Sequence, residues 1–520
     1  MSKAFLTLVV SLFLSAQAFA ELDSLVKIDE ISYSNSFEKN VFKESRKTGI
    51  DFFYNYMVFS SDDSLQITSY RNSLNRRVQD FKSGKRPKNN SKYVKKVYEF
   101  VHSEFLRKYE SEAYFHQIFE NGVYNCVTAC ALYGMVFSTL DIPFTIKETP
   151  THVYIIAYPE SDQIGIETTD PIGGFKTFSP GFKQNFVNQL VGLKLIDIAE
   201  LADGVNAVFN RYYFSNKELG LKELTGIQYY NHGLIEFQNN NYQLAYQDMQ
   251  KAYYLYPSEN IKEILSLACL ATLSKAEYDD WYDLQLFSSA ITMNHPSFSD
   301  NQKLGEFSRL LNKQLIDNND TLFVDSAFHV ITALPLNPDL NKEITFLYNY
   351  ERARKLYNRG NYKLAFPYST AAYHTKPESS DSENLLVNTI QNAVVTKAFG
   401  SEETFLMIES LLESYPSLKT HGHLGELRSR LYLIAMHDAF ENKNVNEAIS
   451  YKNKFEAFID EFGYRYDEYA LGRAYSQGIM YYFRKGAYRN ARNLLNDGLK
   501  YAPDNQDLKM RKYYLDRASN

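Results

Sequence analysis

Three side chains in the first third of the chain have the types and the order that nucleophilic catalysis uses. Cys126 follows Gly122-Val123-Tyr124-Asn125 and opens the helix-patterned stretch Val127 to Leu140; His152 follows Pro150-Thr151 at the head of a strand-patterned run; Asp170 stands before Pro171 at the end of the next run. A thiol at a helix N-terminus has its thiolate favoured by the helix dipole and by unpaired backbone N–H groups. An imidazole within reach can take the thiol proton, and a carboxylate can hold the ring in the tautomer that does so. The expected chemistry is attack of sulfur on an acyl carbon. The Cys126 backbone N–H is the first candidate donor to the developing oxyanion, with Gln117 and Asn121 as side chains that could add a second. Glu167 rivals Asp170 as the orienting carboxylate. The two are three residues apart, so alternation along one strand puts them on opposite faces; Asp170 is preferred for its strand-end position beside Pro171.

The same residues have other readings. Cys130 falls one helical turn after Cys126, and the two thiols with His152 and His116 or His102 could be taken for zinc ligands. Their spacing does not resemble the paired ligands of structural zinc sites, and no metal or cofactor is expected. A Cys126–Cys130 disulfide does not suit helical geometry. Cys130 and Cys269 are expected as buried thiols. Gly173-Gly174 lacks the Lys-Ser/Thr sequel of a phosphate loop. The basic run Arg71 to Lys88, with Gly84 and Pro87 inside it, reads as a solvated loop rather than a nucleic-acid patch, and His421-Gly422-His423 as solvent-facing in a loop.

Elements able to position the three residues follow from the periodicity. Apolar residues recur at helical spacing over Tyr93–Tyr109 and again over Asn125–Leu140, then give way after Asp141-Ile142-Pro143 to short runs at Phe144–Lys147, His152–Tyr158 and Gln163–Thr168 that read as strands. Helices followed by a hairpin-rich sheet predict an α+β domain over residues 91–200, preceded by a helical or linker segment over 21–90. At 520 residues, 44% hydrophobic and 23% charged, the chain is long enough for two to four domains or for one domain and a repeat array. A net charge of −6 gives no general attraction for nucleic acid or for an anionic membrane, and three cysteines exclude a disulfide scaffold. Residues 1–20, MSKAFLTLVVSLFLSAQAFA, have the charged head, apolar run and Ala-x-Ala end of a secretory signal peptide, so an exported protein, periplasmic or secreted and without a transmembrane segment, is expected.

From about Leu221 onward the sequence repeats. Gly233, Ala245, Met249, Ala252 and Pro257 mark one unit; Ala365, Ala372 and Pro377 another; Ala491, Leu495, Gly498 and Pro503 a third. Weaker units end at Pro296, Pro338, Pro416 and Asp460, giving about seven over residues 221–520. Their offsets resemble the tetratricopeptide (TPR) pattern of helix pairs, with a longer period than usual, which implies an all-α solenoid whose groove takes a protein or peptide ligand. Most of the 42 tyrosines, against a single tryptophan, are expected to pack between these helices.

The first segment, from Tyr93 to Asp170, resembles the transglutaminase-like superfamily, relatives of papain-type cysteine proteinases, on Cys126 in YNCVTACALY, the Asp141-Ile142-Pro143 turn, His152-Val153-Tyr154 and Thr169-Asp170-Pro171. That resemblance implies Cys126 as nucleophile, His152 as base and acid, Asp170 as orienting carboxylate, and peptidase, amidase or transamidase chemistry. Val127 and Tyr154 stand where many members carry Trp. The alternative is a non-catalytic envelope scaffold whose repeats bind a protein partner and whose Cys-His-Asp domain is a relic.

Overall fold

The structure, a computed structural model, describes residues 25–48, 51–149, 152–192, 195–396 and 401–518. The expected signal peptide lies outside these residues. The chain divides into two compact units, residues 1–299 and 300–520. Helix dominates both. Among the described residues no helix is long and apolar enough to cross a membrane.

The first unit opens with α1 (Ser36–Thr48), α2 (Phe52–Met57), α3 (Ser64–Ser83) and α4 (Asn90–Phe105). Helix α4 buries Tyr93, Val94, Val97, Tyr98, Val101 and Phe105, the 3.6-residue stripe of its sequence, and starts where the Asn89 side chain accepts from the Lys92 N–H. Strand β1 (Lys108–Tyr109), helix α5 (Gln117–Glu120) and strand β2 (Val123–Tyr124) lead into α6 (Cys126–Thr139). The α4 helix ends at Phe105, four residues short of the expected Tyr109, because Lys108 and Tyr109 pair in parallel with Val123 and Tyr124. Helix α6 is apolar all round and buried along nearly its whole length, the pattern of a central helix.

Strands β3 (Phe144–Thr149), β4 (His152–Ala157), β5 (Ile164–Ile166), β6 (Phe175–Lys176) and β7 (Lys217–Leu219) form an antiparallel sheet in the order β6-β5-β4-β3-β7. The β3–β4 hairpin is in register from Thr149↔His152 to Phe144↔Ala157. Between β6 and β7 run α7 (Pro180–Gly192) and α8 (Val205–Tyr213), packed through Val187, Val208 and Phe209. The buried Lys147 ammonium on β3 draws this excursion back by donating to Phe214 O (3.0 Å) and Glu218 Oε1 (2.6 Å). The sheet therefore extends to Leu219, beyond the expected domain end at residue 200.

Four more helices complete the unit: α9 (Leu221–Gln238), α10 (Tyr242–Leu255), α11 (Glu259–Leu273) and α12 (Trp281–Met293). Helix α9 packs on both α6 and α2, and the N-terminal segment is fastened to α9 and α10. Lys251 and Glu38, each 1% exposed, pair at 3.0 Å; Lys251 also meets Asp248 at 3.3 Å, and the Tyr229 hydroxyl donates to Glu38. The Gln250 amide accepts from Ser32 N–H and donates to Glu30 O. These bonds tie the first helix pair to the N-terminal segment, and the first compact unit runs on through α12 to residue 299.

The second unit holds α13 (Asp300–Leu310), continued by a π-helical stretch Leu311–Asp317, then α14 (Thr321–Thr332), α15 (Pro338–Asn358), α16 (Tyr362–Thr375), α17 (Ser380–Val395), α18 (Ser401–Ser414), α19 (Gly422–Glu441), α20 (Val445–Phe462), α21 (Glu468–Arg484), α22 (Tyr488–Tyr501) and α23 (Gln506–Ala518). Neighbours α15 and α16, α19 and α20, and α21 and α22 pack closely across three-residue loops, so they run antiparallel. Second helices of successive pairs end at or just before Pro257, Pro296, Pro377, Pro416, residue 462 and Pro503, whereas α14 ends at Thr332 and Pro338 opens the next helix, α15. Asp460, which has no proline's stopping power, lies inside α20; that helix stops instead at Gly463, whose φ of +66° suits glycine. Small residues sit where the repeat pattern requires close approach: Ala365, Ala372, Ala448 and Ala491 are fully buried.

Candidate active site

Cys126 is the first residue of α6. Asn125, its N-cap, accepts from the Thr128 N–H (2.9 Å), while Thr128 Oγ1 accepts from the Asn125 N–H (2.9 Å), a closed capping box. The Asn125 amide also donates to the carbonyls of Ser111 and Ala113, both at 3.1 Å, and so fixes the loop before the helix. The thiol is thus held at the positive end of a rigid buried helix, half-exposed among buried neighbours. Its own N–H belongs to the first turn, which has no intrahelical acceptor.

His152 opens β4 and faces the helix N-terminus. Nε2 donates to Glu167 Oε1 at 2.7 Å, which leaves Nδ1 as the ring nitrogen able to serve the nearby Cys126 thiol. The nearby Cys126 thiol and the bonded Glu167 raise the His152 pKa from 6.5 to about 10, against the opposing effect of burial. Burial works against ionisation of Glu167, but the bond from His152 and a 2.8 Å bond from Thr169 Oγ1 outweigh it and hold its carboxyl below the usual value. Side chains of His152 and Glu167 are 30% and 23% exposed, so solvent screens the pair only partly.

Glu167 therefore stands where Asp170 was expected. The reason is local. Strand β5 ends at Ile166, and the chain turns back at once: Glu167 N–H donates to Gly174 O (2.8 Å) and Gly174 N–H to Asp170 O (3.0 Å). Strand alternation does not reach Asp170. Its exposed carboxylate caps the turn, accepting from the N–H groups of Ile172 (3.1 Å) and Gly173 (2.8 Å), which lower its pKa. The Tyr98 hydroxyl, on α4, donates to Asp170 O and pins the same turn. A Cβ on Gly174 would stand 2.2 Å from Glu167 O and 2.4 Å from Asp170 O, so a glycine is required there for close approach of backbone.

The other candidates are engaged elsewhere. Cys130 is fully buried, its sulfur 3.5 Å from Val153 O and 3.6 Å from Thr168 Oγ1, and burial pushes its pKa well up. His116 Nδ1 bonds to Ser60 Oγ (2.6 Å), and His102 packs among Tyr98, Tyr124 and Tyr133, where burial lowers its pKa. Cys130, His116 and His102 thus do not join Cys126 as a ligand set. Cys269 lies in the helix pairs, where burial pushes it up to about 12. Gln117 Oε1 accepts from the Tyr114 N–H and Asn121 Oδ1 from the Val123 N–H, so both amide oxygens serve local turns.

Tyr109 is a residue that sequence reasoning missed. It pairs with Tyr124, two residues before the nucleophile, and its ring meets the Tyr124 ring edge-on at 6.1 Å. Its hydroxyl pKa is raised by burial and then by the nearby Cys126 and Glu167. Only the parallel pairing of two-residue strands brings it there, and periodicity carries no signal for so short a strand. Beyond Glu167 a cavity of about 290 Å³ opens between Tyr154, Lys176, Phe178, Tyr213 and Asn216.

A thiol, an imidazole and a carboxylate gathered between a helix N-terminus and an antiparallel sheet, with the imidazole bonded to the carboxylate, are the groups with which sulfur attacks an acyl carbon and a proton passes to a leaving group. No protein-family model matches the chain and no curated protein matches it.

Proposed function

We propose that the first unit is a transglutaminase-like cysteine acyl-transfer site, of peptidase, amidase or transamidase type. Cys126 is the nucleophile, His152 the base and acid, and Glu167 the orienting carboxylate. The observation that carries the reading is one imidazole bonded at 2.7 Å to the partly buried Glu167, with the Cys126 thiol near enough to the same ring to raise its pKa. Sulfur attacks the acyl carbon, His152 gives its proton to the departing amine, and water or an amine then takes the acyl group from sulfur. The Cys126 N–H supplies one oxyanion donor, and the cavity beside Glu167 supplies room for substrate. In the same proposal the chain is exported and its TPR-like helix pairs hold a protein or peptide ligand.

Intact-protein mass spectrometry of iodoacetamide labelling at neutral pH tests the site. Cys126 is expected to be alkylated at least about 10-fold faster than a simple thiol, with Cys130 and Cys269 unlabelled in the native protein. Labelling of Cys126 at or below the rate of a simple thiol overturns the proposal.

A further inference from the structure

The basic run near the N-terminus lies largely on helix. Arg71 to Ser83 complete α3, and only Gly84–Asn89 form a loop before α4. Residues 64–105, from the start of α3 to the end of α4, contain ten Lys and Arg and three acidic residues, Asp80, Glu99 and Glu104, so this hairpin carries +7 while the rest of the chain carries −13 against a total of −6. Arg76, Lys85, Lys88, Lys92, Lys95 and Lys96 are exposed and form no ion pair among the described residues. Like charges gathered this way repel one another, so a compact anion lowers the energy of the whole group.

The hairpin also has a place to put that anion. A cavity of about 450 Å³ is bordered by Lys82, Lys85, Arg86, Lys96, Tyr93 and Asp80. Two of its cations are held in position. The Arg86 guanidinium stacks on Tyr93 at 4.4 Å and donates to the Tyr158 hydroxyl (3.1 Å), while Lys82 donates to Thr139 O (2.8 Å) and Asp141 (3.0 Å). Lys85 and Lys96 remain free to meet a ligand. Tyr158 follows the last residue of β4 and His152 is its first, so this cavity lies about 20 Å from the imidazole, at the other end of the strand. It is a separate site.

We propose that the α3–α4 hairpin docks the protein on an anionic phospholipid surface, with the phosphate-bearing headgroup entering this cavity. Single-stranded nucleic acid is held on exposed rings; here Tyr93 is buried and Phe81 half-buried, so the cavity presents cations and not stacking faces.

Co-sedimentation of the full chain with phosphatidylcholine vesicles, with and without phosphatidylglycerol, tests the proposal. Binding is expected only to the phosphatidylglycerol vesicles and to weaken with salt. The double variant Lys85→Glu/Lys96→Glu should bind at least about 25-fold more weakly, from roughly fivefold for each cation, whereas Lys485→Glu/Lys512→Glu, at exposed positions in the second unit, should bind as the parent does. Equal binding to both vesicles, undiminished binding of the Lys85/Lys96 variant, or retention by duplex DNA without any by vesicles would each overturn it.

Discussion

Replacing Glu167 by Gln keeps the shape of the side chain and removes the charge that faces His152 Nε2 at 2.7 Å. A hydrogen bond to a charged partner is worth about 1.5–3 kcal/mol, and with both groups less than a third exposed little of that is lost to solvent. At about 1.4 kcal/mol per unit, His152 should fall by roughly 1–2 units from its value near 10. It stays above 6.5 because Cys126, the larger cause of the upward shift, still acts on the ring. The sign is fixed: losing an anion disfavours the imidazolium, so the midpoint moves down. Cys126→Ala removes the larger of the two causes and should lower the midpoint further than Glu167→Gln does. Asp170→Asn, whose exposed carboxylate faces the turn and not the ring, should leave it within about 0.3 units. The assay is NMR titration of the imidazole Cε1–H in histidine-labelled protein, with the His152 signal identified by its loss in His152→Gln. An unmoved midpoint in Glu167→Gln, or a shift of a unit or more in Asp170→Asn, would refute the assignment of the orienting carboxylate.

Two further outcomes test the scaffold. Gly174→Ala places a methyl within 2.4 Å of the carbonyl oxygens of Glu167 and Asp170, and should lower stability by about 2 kcal/mol or more while slowing Cys126 alkylation, because the same turn aims Glu167; chemical denaturation and the labelling rate measure both, and an unchanged pair of values would show that the turn does not aim the carboxylate. Lys251→Met strips the buried Glu38 of its cation and should cost about 3–5 kcal/mol in the first unit, whereas Lys251→Met with Glu38→Leu should recover part of the loss. A double variant less stable than the single one would mean that the ion pair is not what fastens the N-terminal segment.

Much of this arrangement was legible in the residues. The Cys126 helix start can be seen in Asn125 and Thr128, whose side chains make the capping box, and His152 in the change from helical to alternating pattern after Pro143. Repeat ends show at Pro257, Pro296, Pro377, Pro416 and Pro503 because a helix cannot run on through a proline there, although Pro338 opens a helix and Pro367 lies inside one. Less legible were contacts with no local period. Tyr109 reaches the site through a two-residue strand, and the Gln250 amide and Lys251 meet partners more than 200 residues earlier. A basic run broken by Gly84 and Pro87 looked like a loop, yet its first part is a helix capped by Asp63.

The amino-acid sequence by itself determined which residue types could react and which elements carry them, because capping, periodicity and proline act over a few neighbours. The choice between Glu167 and Asp170 belonged to the tertiary structure. It turned on where β5 stops, and that was decided by Gly174 closing on the backbone of Glu167 and by Tyr98, on a distant helix, holding the carbonyl of Asp170.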